Sequence, residues 1–522
     1  MKNKKSLAIA KEMRNHILNV YFFLILCILP FFINNGYTDI GTAKVQFYLS
    51  VTLIILAIFL LWKIAEFIKN KEFSTDIPKR IKNFFLQCTL TEKLLFAYLV
   101  TITLSFLFSD YKDTVLLGEI TWNLGLITMI SLCIIALIIP YIWQGNLWIF
   151  IGIAITSGLC FLHGICNRFS IYPVTIEPRT PGFISTLGNI NWFCGYMAII
   201  APIGICIYVF AEHKKHDYLW AVYAFVSFFA GFCQGSSSVY LYFGALFGGL
   251  LWICIEKKKW LKKCLILLVL WAAAAQIIRF LRFLFPEAYN YDADMFITSS
   301  ITIYAGIFAL AWLCLLLYKN KKAGTSNSRD LINPMLTKIV RIAIPTLVLV
   351  ACTLFFTLLF INTKYGITAL QNNSLFLFNE SWGNGRGNIY QISMTIWHEM
   401  SPLQKIVGVG PDGYATFAYS QPELSEYLIS CYGVSRLTNA HCEILTTLIN
   451  HGLVGCGIYI SLLGTFIYRC FKHGKKNPIL YIPTICIICY FTHNIISFAQ
   501  ILNLPYVFIL IGMGEYWLKK YS

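Results

Sequence analysis

Charge is what this sequence has little of: 12% of its 522 residues are Asp, Glu, Lys or Arg, against about 25% in a soluble globular domain. With 58% of the residues hydrophobic, a water-soluble fold could not bury so much apolar surface, so the solvent must be lipid. Lipid leaves only helix bundles and closed barrels, because every backbone polar group has to be satisfied internally. The alternating ten-residue segments of a barrel are missing too, which leaves helices. No repeat of 20–50 residues and no low-complexity linker divides the chain. The eighteen cysteines form no paired Cys-x-x-Cys metal-ligand set. Most, such as Cys27, Cys254, Cys352, Cys486 and Cys489, sit inside apolar runs as small hydrophobes. Cys166 and Cys431 alone fall in expected outer loops. The first apolar segment lacks a small-residue cleavage site and reads as a span, not a removed signal peptide.

What is there is a succession of continuous apolar runs about 17–25 residues long, the length that crosses a hydrocarbon core as helix. Fourteen can be placed, from Ile17–Ile33 through Gln46–Ile68 and Val340–Ile361 to Leu504–Leu518. The expectation is an all-α polytopic membrane protein of about 12–14 transmembrane helices, a single membrane domain over 1–522. The net charge of +17 could suggest nucleic acid, but its placement argues for topology. With the N-terminus inside and the spans alternating, most of the 41 Lys and Arg residues fall on the cytoplasmic side, as the positive-inside rule requires. Both termini are then cytoplasmic, the basic excess contacts anionic membrane lipid, and no nucleic acid is bound.

The same topology leaves Asn362–Ala440 outside as a large extracytoplasmic loop. A structureless loop of that length would be unusual. Ile389, Ile392, Ile396 and Met400 recur at helical spacing, with Trp382 and Trp397 as interfacial anchors. The turn-rich run Val407-Gly-Val-Gly-Pro-Asp-Gly413 follows. One or two short helices lying across the outer mouth of the bundle are expected.

Three groups on that face could carry chemistry. Arg179 lies in Glu177-Pro-Arg-Thr-Pro-Gly-Phe-Ile-Ser-Thr-Leu-Gly-Asn-Ile-Asn191, Arg386 in Gly383-Asn-Gly-Arg-Gly-Asn388, and His441 in Asn439-Ala-His-Cys-Glu443. Taken singly, an outer arginine is a solvated residue or a headgroup contact, and a histidine at a helix start is a cap. Together they suit an anionic phosphate and a proton transfer. Arginine grips phosphate oxygens through a planar fork and stays charged, histidine exchanges protons near neutral pH, and the glycines beside Arg386 let backbone approach a ligand.

Their order and spacing resemble the O-antigen ligase and polymerase superfamily of bacterial surface polysaccharide assembly. Four segments carry the resemblance: Arg179–Tyr196 with Gly-Asn-Ile-Asn-Trp-Phe-Cys-Gly-Tyr; Gly385-Arg-Gly-Asn-Ile-Tyr-Gln-Ile with the later Pro402 and Gly408-Val-Gly-Pro; Ala440-His-Cys-Glu-Ile-Leu-Thr-Thr-Leu-Ile-Asn-His-Gly-Leu-Val-Gly455; and His493-Asn494 with Leu504-Pro505. They cover roughly the C-terminal two thirds. Where many relatives carry Ser-Arg-Gly at the outer end of a middle span, this chain has Gln234-Gly-Ser-Ser-Ser-Val-Tyr240. Either Arg179, Arg279 or Arg282 supplies the missing charge, or the donor sits differently.

The resemblance implies a GT-C-like bundle in the bacterial cytoplasmic (inner) membrane. It implies a donor glycan on undecaprenyl pyrophosphate, and an acceptor that is a glycan, a lipid or a protein. The implied reaction is inverting, with no metal and no cofactor. Arg386 would stabilise the departing pyrophosphate, and His441 would activate the acceptor hydroxyl or support the leaving phosphate. Arg179, Asn189 and Asn191 would shape the donor pocket, and Glu443 is an alternative base or a helix cap. The nearest Asp-x-Asp pair is Asp292-Ala-Asp294. The rival function is a flippase for the same lipid-linked sugars, which would show midplane charges and broken helices in paired halves. The spans have few such charges.

Overall fold

The computed structural model describes residues 2–69, 77–211, 214–290, 300–323, 331–370, 373–433 and 435–521. Asp292-Ala-Asp294 and part of the basic stretch Lys319–Arg341 lie outside the described residues. Eight helices are long and apolar enough to cross a membrane: Ile9–Phe31, Ile40–Lys69, Leu90–Leu107, Trp148–Arg168, Ile190–Phe210, Lys258–Leu284, Pro334–Tyr365 and Glu443–Gly474. Four shorter apolar helices, Leu126–Ile142, Asp217–Cys233, Val239–Cys254 and Ile301–Leu316, stand among them. Two more, Tyr481–Asn494 and Leu504–Tyr521, close the chain. Over its described residues each of the fourteen expected spans coincides with a helix, and the chain is a multi-pass, all-α membrane protein. Among the described residues the one sheet is a two-stranded antiparallel pair, Phe183–Ile184 with Gly188–Asn189.

Ile190–Phe210 forms the centre: 94% of its apolar window is buried inside the bundle. In lipid, helices gain little from hiding apolar surface and associate through close packing and polar contacts. Gly512 illustrates the first, since a Cβ there would lie 2.8 Å from Ile139 Cβ and 2.9 Å from the Ala136 carbonyl. A polar lock illustrates the second. Arg469 pairs with Glu515, and Lys519 with Glu92 at 2.6 Å, tying three helices together at the end remote from the loop. The first span ends in a π-turn and a 3-10 turn, which strands carbonyls. The buried Lys44 ammonium answers them, donating to Leu29, Pro30 and Phe32 oxygens at 3.2, 2.9 and 2.9 Å.

Among its described residues the segment 362–440 holds four short helices where one or two were expected: Trp382–Glu399, Pro402–Val407, Tyr414–Ser420 and Pro422–Tyr432. Ser401 and Gln404 form a capping box, and Pro402 and Pro422 open their helices, so local turn chemistry divides the loop more finely than its apolar spacing suggests. Ile389, Ile392, Ile396 and Met400 are buried as expected, in a separate apolar cluster that includes Tyr414, Phe417 and Ile449.

The loop docks onto a break in Glu443–Gly474. Gly452 there has φ 68° and ψ −177°, a conformation close to glycine-only. The break frees carbonyls that the loop satisfies: the Val409 N–H donates to Ile449 O at 3.0 Å and the Gly410 N–H to Asn450 O at 3.1 Å. Ser105 adds a hydroxyl bond to Asn450 O at 2.7 Å. A Cβ on Gly452 would collide with the Ile406 carbonyl. Gly452→Ala is therefore expected to destabilise the protein by about 2–3 kcal/mol through backbone strain, read as a lowered Tm in detergent. An unchanged Tm would contradict this account of the break.

Candidate active site

Arg386 owes its position to three successive left-handed residues, Gly383, Asn384 and Gly385, with φ of 60°, 60° and 83°. They turn the chain so that the next helix begins with the guanidinium facing inward, 9% exposed. Nε donates to Ile496 O at 3.0 Å and Nη1 to Gly383 O at 2.8 Å. Among the described residues Arg386 meets no carboxylate, and Nη2 has no hydrogen-bond partner. Burial depresses its pKa, although a guanidinium still stays charged at neutral pH. Among the described residues the site is thus a buried cation without a counter-ion.

His441 stands beside it. Its backbone is left-handed at φ 47°, and its N–H donates to Asn439 Oδ1 at 3.0 Å. The imidazole packs edge-on against Phe498 with centroids 5.1 Å apart. Burial first, and the Arg386 charge second, push its pKa down to about 4, so the ring is neutral at pH 7. Among the described residues its side chain makes no hydrogen bond.

The other motif segments converge through one chain of hydrogen bonds. The Asn191 amide oxygen accepts from Ser236 Oγ at 2.8 Å, Ser236 and Ser238 hydroxyls lie 2.8 Å apart, and Ser238 Oγ meets His493 Nε2 at 3.0 Å. His493 Nδ1 lies 2.7 Å from Asn494 Oδ1, and Asn494 Nδ2 donates to Glu443 Oε2 at 2.5 Å. Tyr459 and Tyr490 hydroxyls donate to the other Glu443 oxygen at 2.5 and 2.7 Å. Glu443 is thereby held in place by three donors. Asn189 caps the helix Ile190–Phe210, its side chain accepting from the Asn191 N–H at 2.8 Å.

Arg179 lies elsewhere. It is half-exposed, pairs with Glu177 at 2.9 Å and covers the Tyr172 ring at 5.0 Å; neither Arg386 nor His441 is among its contacts. Arg279 is exposed, and Arg282 lies over Tyr289. The guanidinium that does reach the Gln234–Ser238 turn is Arg168, fully buried. Its Nε and Nη2 donate to Cys233 O at 3.0 Å and Gln234 O at 2.6 Å, and Nη1 to Pro181 O at 2.8 Å. Sequence reasoning overlooked Arg168, Ser238 and the role of His493. A usable signal existed for Arg168, a charge in the last turn of an apolar span.

A cleft adjoins this assembly, lined by Asp412, Asn439, Glu443, Asn450, His451 and Trp122 among others. The Asp412 carboxylate accepts the Glu119 and Leu124 N–H groups at 2.9 and 3.0 Å. Burial raises its pKa to about 7. Glu119 in turn pairs with Arg436 at 2.8 Å, so the loop's Gly-Pro-Asp-Gly turn is clamped to the segment ahead of Leu126–Ile142. All eighteen cysteines are free thiols.

No curated protein matches the chain. Residues 293–460, however, match the family model described as O-antigen ligase, a stretch that contains Arg386, His441, Glu443 and the Gly452 break. Arg179, Asn191 and His493 lie outside it. That match agrees with the motif order from Arg386 to Gly455, and residues 293–460 resemble the O-antigen ligase family, which supports a place in that superfamily.

Proposed function

We propose that this protein transfers a glycan from undecaprenyl pyrophosphate to an acceptor hydroxyl on the outer face of the bacterial cytoplasmic membrane. The O-antigen ligase match over residues 293–460 supports the coarser statement, a ligase- or polymerase-type role in surface polysaccharide assembly. The observation that carries the finer one is Arg386, a buried guanidinium with no carboxylate beside it among the described residues. Such a charge is costly unless an anion completes the site, and a pyrophosphate is a suitable anion. The basic excess on one side of the expected topology supports cytoplasmic termini and an outer loop.

In the reaction the acceptor oxygen attacks the anomeric carbon as the bond from that carbon to the pyrophosphate breaks. The electron pair leaves on the pyrophosphate oxygen, where Arg386 meets the growing charge. The hydroxyl proton passes to the neutral His441 ring. A single displacement inverts the anomeric centre, and these steps call on no metal. Arg168 holds the Gln234–Ser238 turn, and Asn191, Ser236, Ser238 and His493 brace the wall between donor and bundle. The acceptor is a glycan, a lipid or a protein.

The test uses purified protein in vesicles carrying a fluorescent lipid-linked glycan and an acceptor. A new glycosidic bond with released polyprenyl pyrophosphate is expected. Movement of intact donor across the bilayer, with no covalent change, would establish the flippase instead.

A further inference from the structure

We infer that the cleft beside His441 is a subsite for a neutral sugar ring of the acceptor, read by Asn450 and His451. This inference rests on the transfer reaction just described and specifies the chemistry of its second substrate. Asn450 is 7% and His451 5% exposed, both lining the cleft. Asn450 Oδ1 and His451 Nε2 are nonetheless without a hydrogen-bond partner among the described residues. Buried polar atoms are nearly always satisfied, so two unsatisfied atoms on neighbouring residues of one cleft point to a ligand that satisfies them.

Their chemistry is that of a hydroxyl partner. Tyr98 OH lies 3.2 Å from His451 Nδ1; with Tyr98 donating there, Nε2 carries the proton and offers a donor. Asn450 Oδ1 offers an acceptor. A sugar hydroxyl can accept from one and donate to the other at once, which a phosphate cannot. The wall supplies a second feature of sugar sites, an aromatic face: Trp122 lies there with its ring 4.7 Å from that of Phe498. The carboxyl groups of Asp412 and Glu443 also line the cleft, and no Lys or Arg stands among its lining residues to hold an anion. The donor side, by contrast, presents the Arg386 cation. The two sides of His441 thus differ in charge.

Position links the cleft to the chemistry. Phe498 packs against both Trp122 and His441, with ring centroids 4.7 and 5.1 Å away, and Asn439, another lining residue, holds the His441 backbone N–H. A sugar seated over Trp122 therefore has its neighbouring ring at the imidazole.

The experiment measures binding of the oligosaccharide released from the strain's own surface glycan to the full-length protein in nanodiscs, by calorimetry. Wild type is expected to bind it. Asn450→Leu and His451→Phe, which keep volume and lose the polar atom, are each expected to bind about tenfold more weakly, the loss of one hydrogen bond. His451→Gln should recover part of the affinity, and Trp122→Leu gives an independent arm should a helix variant fail to fold. Wild-type affinity in the folded variants, or no binding by wild type, overturns the subsite. Failure of the transfer reading looks different: wild type then makes no glycosidic bond from lipid-linked donor whatever the oligosaccharide does. If transfer proceeds but the acceptor KM is unchanged in Asn450→Leu and His451→Phe, the subsite alone is wrong.

Discussion

Arg386→Ala is expected to lower the rate of glycan transfer by about two to three orders of magnitude, the loss typical of removing one preorganised group that meets charge in the transition state. Its stability should move the other way or not at all. Arg386 is 9% exposed and has no carboxylate partner among the described residues, so the folded protein bears the desolvation of a cation that nothing within those residues neutralises. Removing it relieves that burden and leaves the Ile496 and Gly383 carbonyls without this donor as the cost. A purified variant with an equal or higher Tm and lost turnover is the expected signature. Arg386→Lys should not restore activity, because Nε and Nη1 are already committed to carbonyls and a point charge lacks the fork that frees Nη2 for the ligand. Transfer at wild-type rate in Arg386→Ala would remove the residue from the mechanism.

His441→Ala is expected to cost about 10²–10⁴ in rate, and wild type should show the reason in its pH profile. In the free protein the imidazole is held at about 4 by burial and by the Arg386 charge. The kcat/KM for donor, which reports the free protein, should therefore fall only as the pH drops through about 4. A bound pyrophosphate neutralises Arg386 and adds negative charge nearby, so kcat, which reports the complex, should break at a higher pH. Identical break points for the two would show that donor and imidazole do not communicate. Stability follows the same ring. The folded pKa lies below the unfolded value of about 6.5, so the unfolded chain takes up the proton first. Stability is therefore undiminished above about pH 6.5 and is lost as the pH falls towards 4. His441→Ala should lose that dependence.

The membrane architecture was legible because lipid imposes one signal, an uninterrupted apolar run, on every crossing helix. Arg386, His441, Asn191 and Glu443 were singled out through motif order, and the structure joins Asn191 to Glu443 through Ser236, Ser238, His493 and Asn494. The joining residues were not legible as a network. Ser238 and His493 stand 255 positions apart, and a hydrogen bond between them leaves no periodicity in either segment. Arg168 was hidden for a related reason: its partners are backbone carbonyls, which any sequence supplies. Pro402–Val407 and Tyr414–Ser420 escaped because a helix of six or seven residues is too short to show a face, so capping and turn chemistry define it. Arg179 followed the motif, yet its contacts are with Glu177 and Tyr172.

The docking of the loop on the Gly452 break also sets an order of events during synthesis. Val409 and Gly410 close their turn on carbonyls of Ile449 and Asn450, residues about forty positions nearer the C-terminus. The ribosome therefore releases the loop before its resting place has been made. Until Glu443–Gly474 is made, the four short helices wait without those carbonyls and with Ile449 missing from their apolar cluster. A fragment ending at residue 440 would stay in that waiting state, however well its own sequence were preserved.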